Sequence, residues 1–395
     1  MTYYNRSHGY PPTRPRPLIE QIPDYRADFD VSDEEDGFHD RDDDFLIPPK
    51  LQAALLRTSD RIPRRIKRHS LTIFLLFILT IISWWTYFGP RRAAYYAQVK
   101  LMDNAPTMSY DSHVLPEFKG MIQVTDLDEK HLPTKENRLV FVGDVHGCLT
   151  ELEELLEKVG FDQKRDHLVM TGDMIAKGPD SAGVIKLAQD IGASCVRGNW
   201  EDKLLLSIDQ AADRHILLPA ADAPPDAKID FIGEATATHG KGKLRKLAKQ
   251  FTKKDIEYMR QCPVILRIGS VPKLGNLVTV HAGLVPDTPL EHQDPFHVMN
   301  MRSIDLETRI PSSKHGGTAW ETFWNHRQGK LKPRERATVI YGHNRKKGLN
   351  IHKYSYGLDT GCASGGKLTA LVIDSQGKTE FVHVKCNKEE GYASG

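Results

Sequence analysis

Cysteine is sparse in this 395-residue chain, and the five that occur, Cys148, Cys195, Cys262, Cys362 and Cys386, are scattered without CxxC spacing. That scatter argues against a zinc finger or a disulfide scaffold, and an odd count leaves at least one thiol unpaired within the chain. A predominant charge is missing too, since 54 Lys and Arg against 52 Asp and Glu give a formal net charge of +2. The overall balance therefore calls for no nucleic-acid partner, and the local distribution of charge says more. No Asn-x-Ser/Thr acceptor follows residue 90, while Asn5-Arg6-Ser7 precedes it.

Long apolar runs are lacking except at one place. Residues 70–90 contain no charged side chain, and Leu71 to Phe88 is mostly apolar with an aromatic cluster at its end. At about 1.5 Å per residue, ~20 helical residues span the ~30 Å hydrocarbon layer. The run has no polar face and basic clusters flank it, so it reads as a transmembrane signal anchor rather than a core helix or a cleaved leader. Arg57, Arg61, Arg64, Arg65, Lys67 and Arg68 precede it and only Arg91, Arg92 and Lys100 follow closely. By the positive-inside rule the N-terminus is cytosolic and the remainder lumenal or extracellular, a type II arrangement.

Residues 1–69 are expected to be a disordered tail, with prolines at 11, 12, 15 and 17 and eleven Asp or Glu between Asp24 and Asp44. The block ends in Asp42-Asp43-Asp44-Phe45-Leu46-Ile47, similar to an acidic dileucine signal read by sorting adaptors. Residues 91–136 form a polar connector, 137–386 the catalytic domain and 387–395 a short tail.

Within 137–386, β-rich runs alternate with helical patterns, the signature of an α/β domain. Leu139 to Val142 is a strand that stops at Gly143-Asp144-Val145-His146-Gly147. The following helix is expected to be capped by Thr150 with Glu153, and it carries a stripe of Leu152, Leu155, Leu156 and Val159. His167 to Thr171 ends at Gly172-Asp173, Ser181 opens another helix, and Ala193 to Arg197 ends at Gly198-Asn199-Trp200-Glu201. Leu277 to Val280 runs into His281, and Val339 to Tyr341 into Gly342-His343. Strand ends are where open α/β sheets build their sites. The candidate metal ligands are therefore Asp144, His146, Asp173, Asn199, His281 and His343. Such a mixed carboxylate, amide and imidazole set suits two divalent ions, Zn, Mn or Fe, rather than Ca, with Zn favoured and Asp173 as the bridge.

Taken together these motifs (GDxHG, GDxxxxG, GNxE and two separated histidines) resemble the calcineurin-like metallophosphoesterases. The resemblance implies a four-layer αββα sandwich, metal-dependent hydrolysis by activated water, catalytic roles for Asp144, Asp173 and Asn199, and a phosphate contact for Arg197. Two positions depart from the Ser/Thr protein phosphatases of that family, where an Asp-His pair protonates the seryl oxygen. This chain has Ala176 and Trp200 there. An alkoxide leaving group needs a general acid, typically worth ~10² to 10⁴ in rate, whereas a phosphate released from an anhydride does not. Gly172 to Ser181 and Gly357-Leu358-Asp359-Thr360-Gly361-Cys362 are similar to the bacterial diadenosine tetraphosphatase branch, and the anchor and acidic tail resemble fungal vacuolar polyphosphate-cleaving relatives. The expected substrate is thus inorganic polyphosphate in a vacuole lumen. Diadenosine polyphosphates, phosphoproteins, or a catalytically silent polyanion-binding role are the alternatives. Lys177, Arg345, Lys346 and Lys249 are candidate substrate contacts. Lys241 to Lys254 is expected to form one basic helix facing inward through Leu244, Leu247, Ala248 and Phe251. Cys148, Cys195, Trp320 and Trp324 are expected to be packing residues.

Overall fold

Period-two alternation decides the architecture. In β2 (Arg138–Val142), Leu139 and Phe141 join one core cluster while Val140 and Val142 join another, and all four are fully buried. A strand buried on both faces must lie between two layers. The structure, a computed structural model, describes residues 68–106, 121–219, 223–232 and 239–387. The tail, its acidic block and the Asp42 to Ile47 motif lie outside those residues.

Two mixed sheets stack through the cluster of Leu139, Phe141, Val169, Leu371, Leu277 and Ile340. The first sheet contains β2, β3 (Asp166–Met170), β4 (Ser194–Cys195), β10 (Lys367–Ile373) and β11 (Thr379–Lys385), in the order β11-β10-β2-β3-β4. β2, β3 and β4 run parallel, and β10 lies antiparallel to β2. The second sheet contains β1 (Val124–Asp126), β5 (Ile265–Val271), β6 (Gly275–Val280), β7 (Ala337–Tyr341), β8 (Asn350–His352) and β9 (Ser355–Gly357), in the order β1-β5-β6-β7-β9-β8. Here β6, β7 and β9 run parallel. Helices Leu149–Val159, Ser181–Asp190, Asn199–Asp213 and Lys253–Gln261 cover the outer face of the first sheet. Helices Pro295–Asn300 and Trp320–Lys330 cover the second. This is the expected four-layer αββα sandwich, and Trp320 and Trp324 lie in its core.

Local details differ from the sequence reading. The helix after β2 starts at Leu149 with Cys148 at its N-cap, so Thr150 is already helical. The strand expected over Ala193 to Arg197 pairs only at Ser194 and Cys195, because Arg197 N turns away to Pro263 O. The basic stretch breaks in two, into His239–Ala248 and Lys253–Gln261, where Thr252 caps the second helix with Asp255. The connector is also more structured than its polarity suggests. Val124–Asp126 pairs with Ile265 to Arg267 as an edge strand, so the catalytic body begins before residue 137.

The apolar segment is helical, and the helix continues unbroken from Thr72 to Asn104, long and apolar enough to cross a membrane. Its apolar side chains are exposed, Trp85 at 75% and Ile73 at 66%. Its last turns pack on the domain, with Met102 buried, Gln98 donating to Thr318, and Asp103 paired with His326 and Lys330.

Two disulfides, Cys195–Cys262 and Cys362–Cys386, overturn the reading of Cys195 as a plain packing residue. Their sequence separations of 67 and 24 place the partners in contact only through the tertiary fold, which spacing along the chain does not reveal. Cys148 keeps its thiol and is buried, as expected. In the chain-entropy model a 67-residue loop is worth about 4 kcal/mol. Cys195→Ser with Cys262→Ser is therefore expected to lower the thermal midpoint by several degrees in a calorimetric or fluorescence scan. An unchanged midpoint would show that the bond contributes nothing to stability.

Candidate metal centre

The ends of β2, β3 and β4 meet the ends of β6 and β7 across the gap between the sheets. The connecting backbone is bent to aim side chains inward. Among described non-glycine residues nine have positive φ, and five of them, His146, Asp173, Ala176, Lys177 and His343, lie at this one place. Such strain persists only where the surroundings over-determine it. Two motif glycines are explained by close approach. A Cβ on Gly342 would lie 1.9 Å from Asp144 Oδ1, and one on Gly198 would lie 2.2 Å from Asp173 N.

Asp144, His146 and Asp173 are buried, and their ligand atoms lie within 4.8 Å of one another. His146 Nε2 is 3.4 Å from Asp173 Oδ2, and His281 Nε2 is 3.4 Å from Asp173 Oδ1. His281 Nε2 is 3.0 Å from the Asn199 amide, and the His281 and His343 rings are 5.0 Å apart. All six expected ligands are thus brought together, with Asp173 touching both ends of the group.

Each imidazole has one nitrogen tied to a backbone carbonyl. His146 Nδ1 faces Ile175 O at 3.0 Å, His281 Nδ1 faces Thr171 O at 2.8 Å, and His343 Nε2 faces Asn300 O at 3.1 Å. A carbonyl accepts only from N–H, so it fixes the tautomer and leaves the other nitrogen's lone pair for a cation. The Asn199 amide also fits. With its oxygen inward, it, Asp173 and His281 Nε2 form a set of donors to a metal; with its nitrogen inward, it would donate to both neighbours. A cation selects the first orientation.

The ligand groups shift one another strongly. Burial, then Asp359 and Asp173, push Asp144 well above the carboxylate range. Burial would raise Asp173 as well, but His281, His146 and Lys177 hold it far below. Burial would lower His281, yet Asp173 beside it pushes the imidazole up to about 10, whereas burial and Lys177 push His146 down to about 3. A buried proton on His281 thus pairs with Asp173 in the place where divalent cations would supply the positive charge.

Several contributors were not legible as such. Glu201, quoted only as part of GNxE, is fully buried and accepts four backbone N–H groups. Oε2 takes those of Asp173 and Gly198 at 2.9 Å each, and Oε1 takes those of Met174 at 2.8 Å and Ile175 at 3.2 Å. It thereby pins the Asp173 loop to the Gly198 turn. Arg302 donates to Ser313 O at 2.9 Å. Burial lowers its guanidinium's pKa, while Asp359, Asp173 and Asp144, in that order, draw it back up. Its charge is thus felt by the carboxylates of the metal centre. The spacing that would have found it is its place two residues past Asn300, the residue whose carbonyl orients His343. Arg197 is placed differently from the expectation, with its guanidinium 3.8 Å from Asp202 and donating to Arg260 O at 3.1 Å.

Lys177 Nζ lies 3.0 Å from His146 Nε2 and 5.4 Å from the Trp200 ring centre. Arg345, in the turn after His343, bonds to Ser364, and Lys346 beside it is exposed. Lys249 pairs with Asp230 at 3.0 Å in the helical layer. Glu201→Gln puts an amide NH₂ against N–H donors, which is expected to cost about 2–4 kcal/mol. Bound metal per chain, measured by elemental analysis, should fall by half or more; full retention would limit Glu201 to a packing role.

Similarity to known proteins agrees with this geometry. Residues 137–363 match the family model for calcineurin-like phosphoesterases. The chain is 26% identical over 308 residues to the zinc-dependent endopolyphosphatase of Saccharomyces cerevisiae, covering 71% of this chain and 90% of that protein. It is 27% identical over 290 residues to the symmetrical bis(5'-nucleosyl)-tetraphosphatase of Yersinia pestis, covering 64% and 96%. A crystal structure of a diadenosine tetraphosphatase superposes with a TM-score of 0.50 at 29% identity, covering 67% and 98%. Motif order and two-sheet architecture agree with the match, and the chain belongs to the calcineurin-like phosphoesterases, as a metal-dependent phosphoesterase.

Proposed function

We propose that this chain cleaves inorganic polyphosphate, using two zinc ions, on the lumenal side of a vacuolar membrane. The observation that carries the reading is the lack of the carboxylate–imidazole pair that protonates the leaving group in ester-cleaving relatives. Ala176 is buried and has no titratable group, and Trp200 turns its indole edgewise to His146, 6.5 Å between ring centres. Lys203 and Lys177 lie 4.9 and 5.4 Å from the indole centre, so cations rather than a carboxylate–imidazole pair surround the place where a leaving group departs. A phosphate leaving from an anhydride departs as an anion and needs neutralising charge, not a proton.

Asp144, His146 and Asp173 would hold one cation, and Asp173, Asn199, His281 and His343 the other. When bound, the pair supplies Lewis-acid charge and an activated water. The chain's own cations do the rest. Lys177 Nζ lies 3.0 Å from His146 Nε2, Arg302 interacts electrostatically with the carboxylates of the cluster, and Arg345 follows His343 by two residues. His315 lies beyond, depressed first by burial and then by Arg302, Lys346 and Lys347. Positive charge thus extends away from the ligands, which suits a substrate with many phosphates.

The lumenal placement is supported by the two disulfides, which persist in oxidising compartments, and by the basic flank before the apolar helix. The Asp42 to Ile47 motif supports vacuolar delivery. Dinucleoside polyphosphates are the second reading, favoured by the resemblance to the tetraphosphatases.

Phosphate release from polyphosphate, diadenosine tetraphosphate and an alkyl phosphomonoester tests this directly. Anhydrides are expected to exceed the ester by orders of magnitude. Ala176→Asp with Trp200→His is expected to raise ester hydrolysis selectively, by up to about 10²-fold, with little change for anhydrides. A wild-type preference for a phosphoserine peptide over polyphosphate would overturn the proposal.

A further inference from the structure

The helix that begins at the ligand Asn199 carries a pattern that the metal centre does not use. In Asn199–Asp213, Trp200, Lys203, Ser207 and Gln210 recur at helical spacing, and Arg214 continues the series as the C-cap. At ~100° per residue these positions fall within an arc of roughly 80°. The acids of the helix, Glu201, Asp202, Asp209 and Asp213, all lie outside that arc. Glu201 is held by backbone amides, Asp202 lies 3.8 Å from Arg197, and Asp209 pairs with Arg260. The stripe is therefore aromatic, polar or basic throughout, with no carboxylate in it.

Both ends of the stripe carry cations. At the start, Lys177 and Lys203 lie 5.4 and 4.9 Å from the centre of the Trp200 ring, which stands edgewise to His146. At the far end, Ser207, Gln210, Ala211 and Arg214 line a surface pocket together with Ile216 and Arg245. Arg245 comes from His239–Ala248, which packs against this helix, and its guanidinium lies over the Phe231 ring at 5.3 Å. Phe231 is buried, so the stack holds the guanidinium at the pocket without neutralising it. Among the described residues no carboxylate pairs with Arg214 or Arg245. Guanidiniums that converge on one pocket suit phosphate oxygens, to which each presents paired donors.

Building on the polyphosphate reading above, we propose that this stripe is a polyanion track and that the pocket of Arg214 and Arg245 is a distal phosphate subsite. It holds remote phosphates of a chain that is being cut at the metal centre. Arg214 is ~20 Å along the helix from Trp200, at ~1.5 Å per residue. A substrate of a few phosphates ends near the metal centre, whereas a long chain reaches both places and gains effective concentration from the second contact. Selectivity for length then resides in Arg214 and Arg245 rather than in the metal ligands.

The full chain in detergent micelles, supplied with zinc, is assayed on tripolyphosphate and on long-chain polyphosphate. KM per chain is expected to be lower for the long substrate. Arg214→Gln with Arg245→Gln is expected to raise the long-chain KM at least about 10-fold and to erase that advantage. A second measurement needs no turnover. In excess chelator, fluorescently labelled long-chain polyphosphate should bind the double variant at least about 10-fold more weakly than wild type, and added salt should narrow the difference. An equal rise in KM for both substrates, or equal binding by the two proteins, overturns the track. Weaker binding by the variant, in a chain whose wild type hydrolyses only diadenosine tetraphosphate, overturns the cleavage reading and supports the track.

Discussion

The carboxylate of Asp173 is the constraint around which the rest is arranged. It is buried, its residue has φ 47, and its oxygens are approached by Trp200 N at 3.0 Å, His146 and His281. A buried carboxylate costs several kcal/mol unless paired and hydrogen-bonded. The pairing comes from both sheets: β3 delivers the carboxylate, β4 leads to the Gly198-Asn199 turn, and β6 delivers His281. The Glu201 carboxylate, held by burial and by Asp173 at about 7, locks the loop through four backbone N–H groups. The sandwich and the metal centre are therefore one structure, because the sheets meet where the shared carboxylate needs partners.

The same dependence explains what was legible in the sequence. A strand ending in glycine plus a ligand is a local signal. Gly143-Asp144, Gly172-Asp173, Gly198-Asn199 and Gly342-His343 were readable as adjacent pairs, although what each glycine makes room for, Leu358 O, Gly198 N, Asp173 N and Asp144 Oδ1 respectively, comes from a distant segment. Glu201 was visible as a letter but not as a clamp, since three of its four partners are backbone amides 26 to 28 residues away. Arg302 belongs to no motif and reaches the site through a hairpin whose carbonyls orient it. The disulfides depend on contacts between distant segments, and the edge strand Val124–Asp126 depends on a partner 141 residues later, so periodicity within the connector was too short to show it.

The family fixes metal-dependent phosphoryl chemistry, and the proposed choice of substrate rests on local departures from it. Replacing an acid–base pair by methyl and indole removes proton donation while lysines and arginines remain, and those two changes act in the same direction. Both favour a leaving group that departs charged. The disulfides agree with the proposed oxidising compartment, and the exposed apolar helix is long enough to cross a membrane. The helix continues to Asn104, where its last turns pack on the domain with Met102 buried and Asp103 paired to His326 and Lys330.

The most direct measurement of the central claim is metal content and turnover of Asp173→Asn in the full chain. The amide keeps the shape but removes the shared negative charge, so both halves of the ligand set are weakened at once. The expected result is a fall from two bound metal ions towards one or none, with polyphosphate hydrolysis reduced by at least about 10²-fold. Wild-type turnover with metal depleted would contradict a hydrolase built on a shared carboxylate.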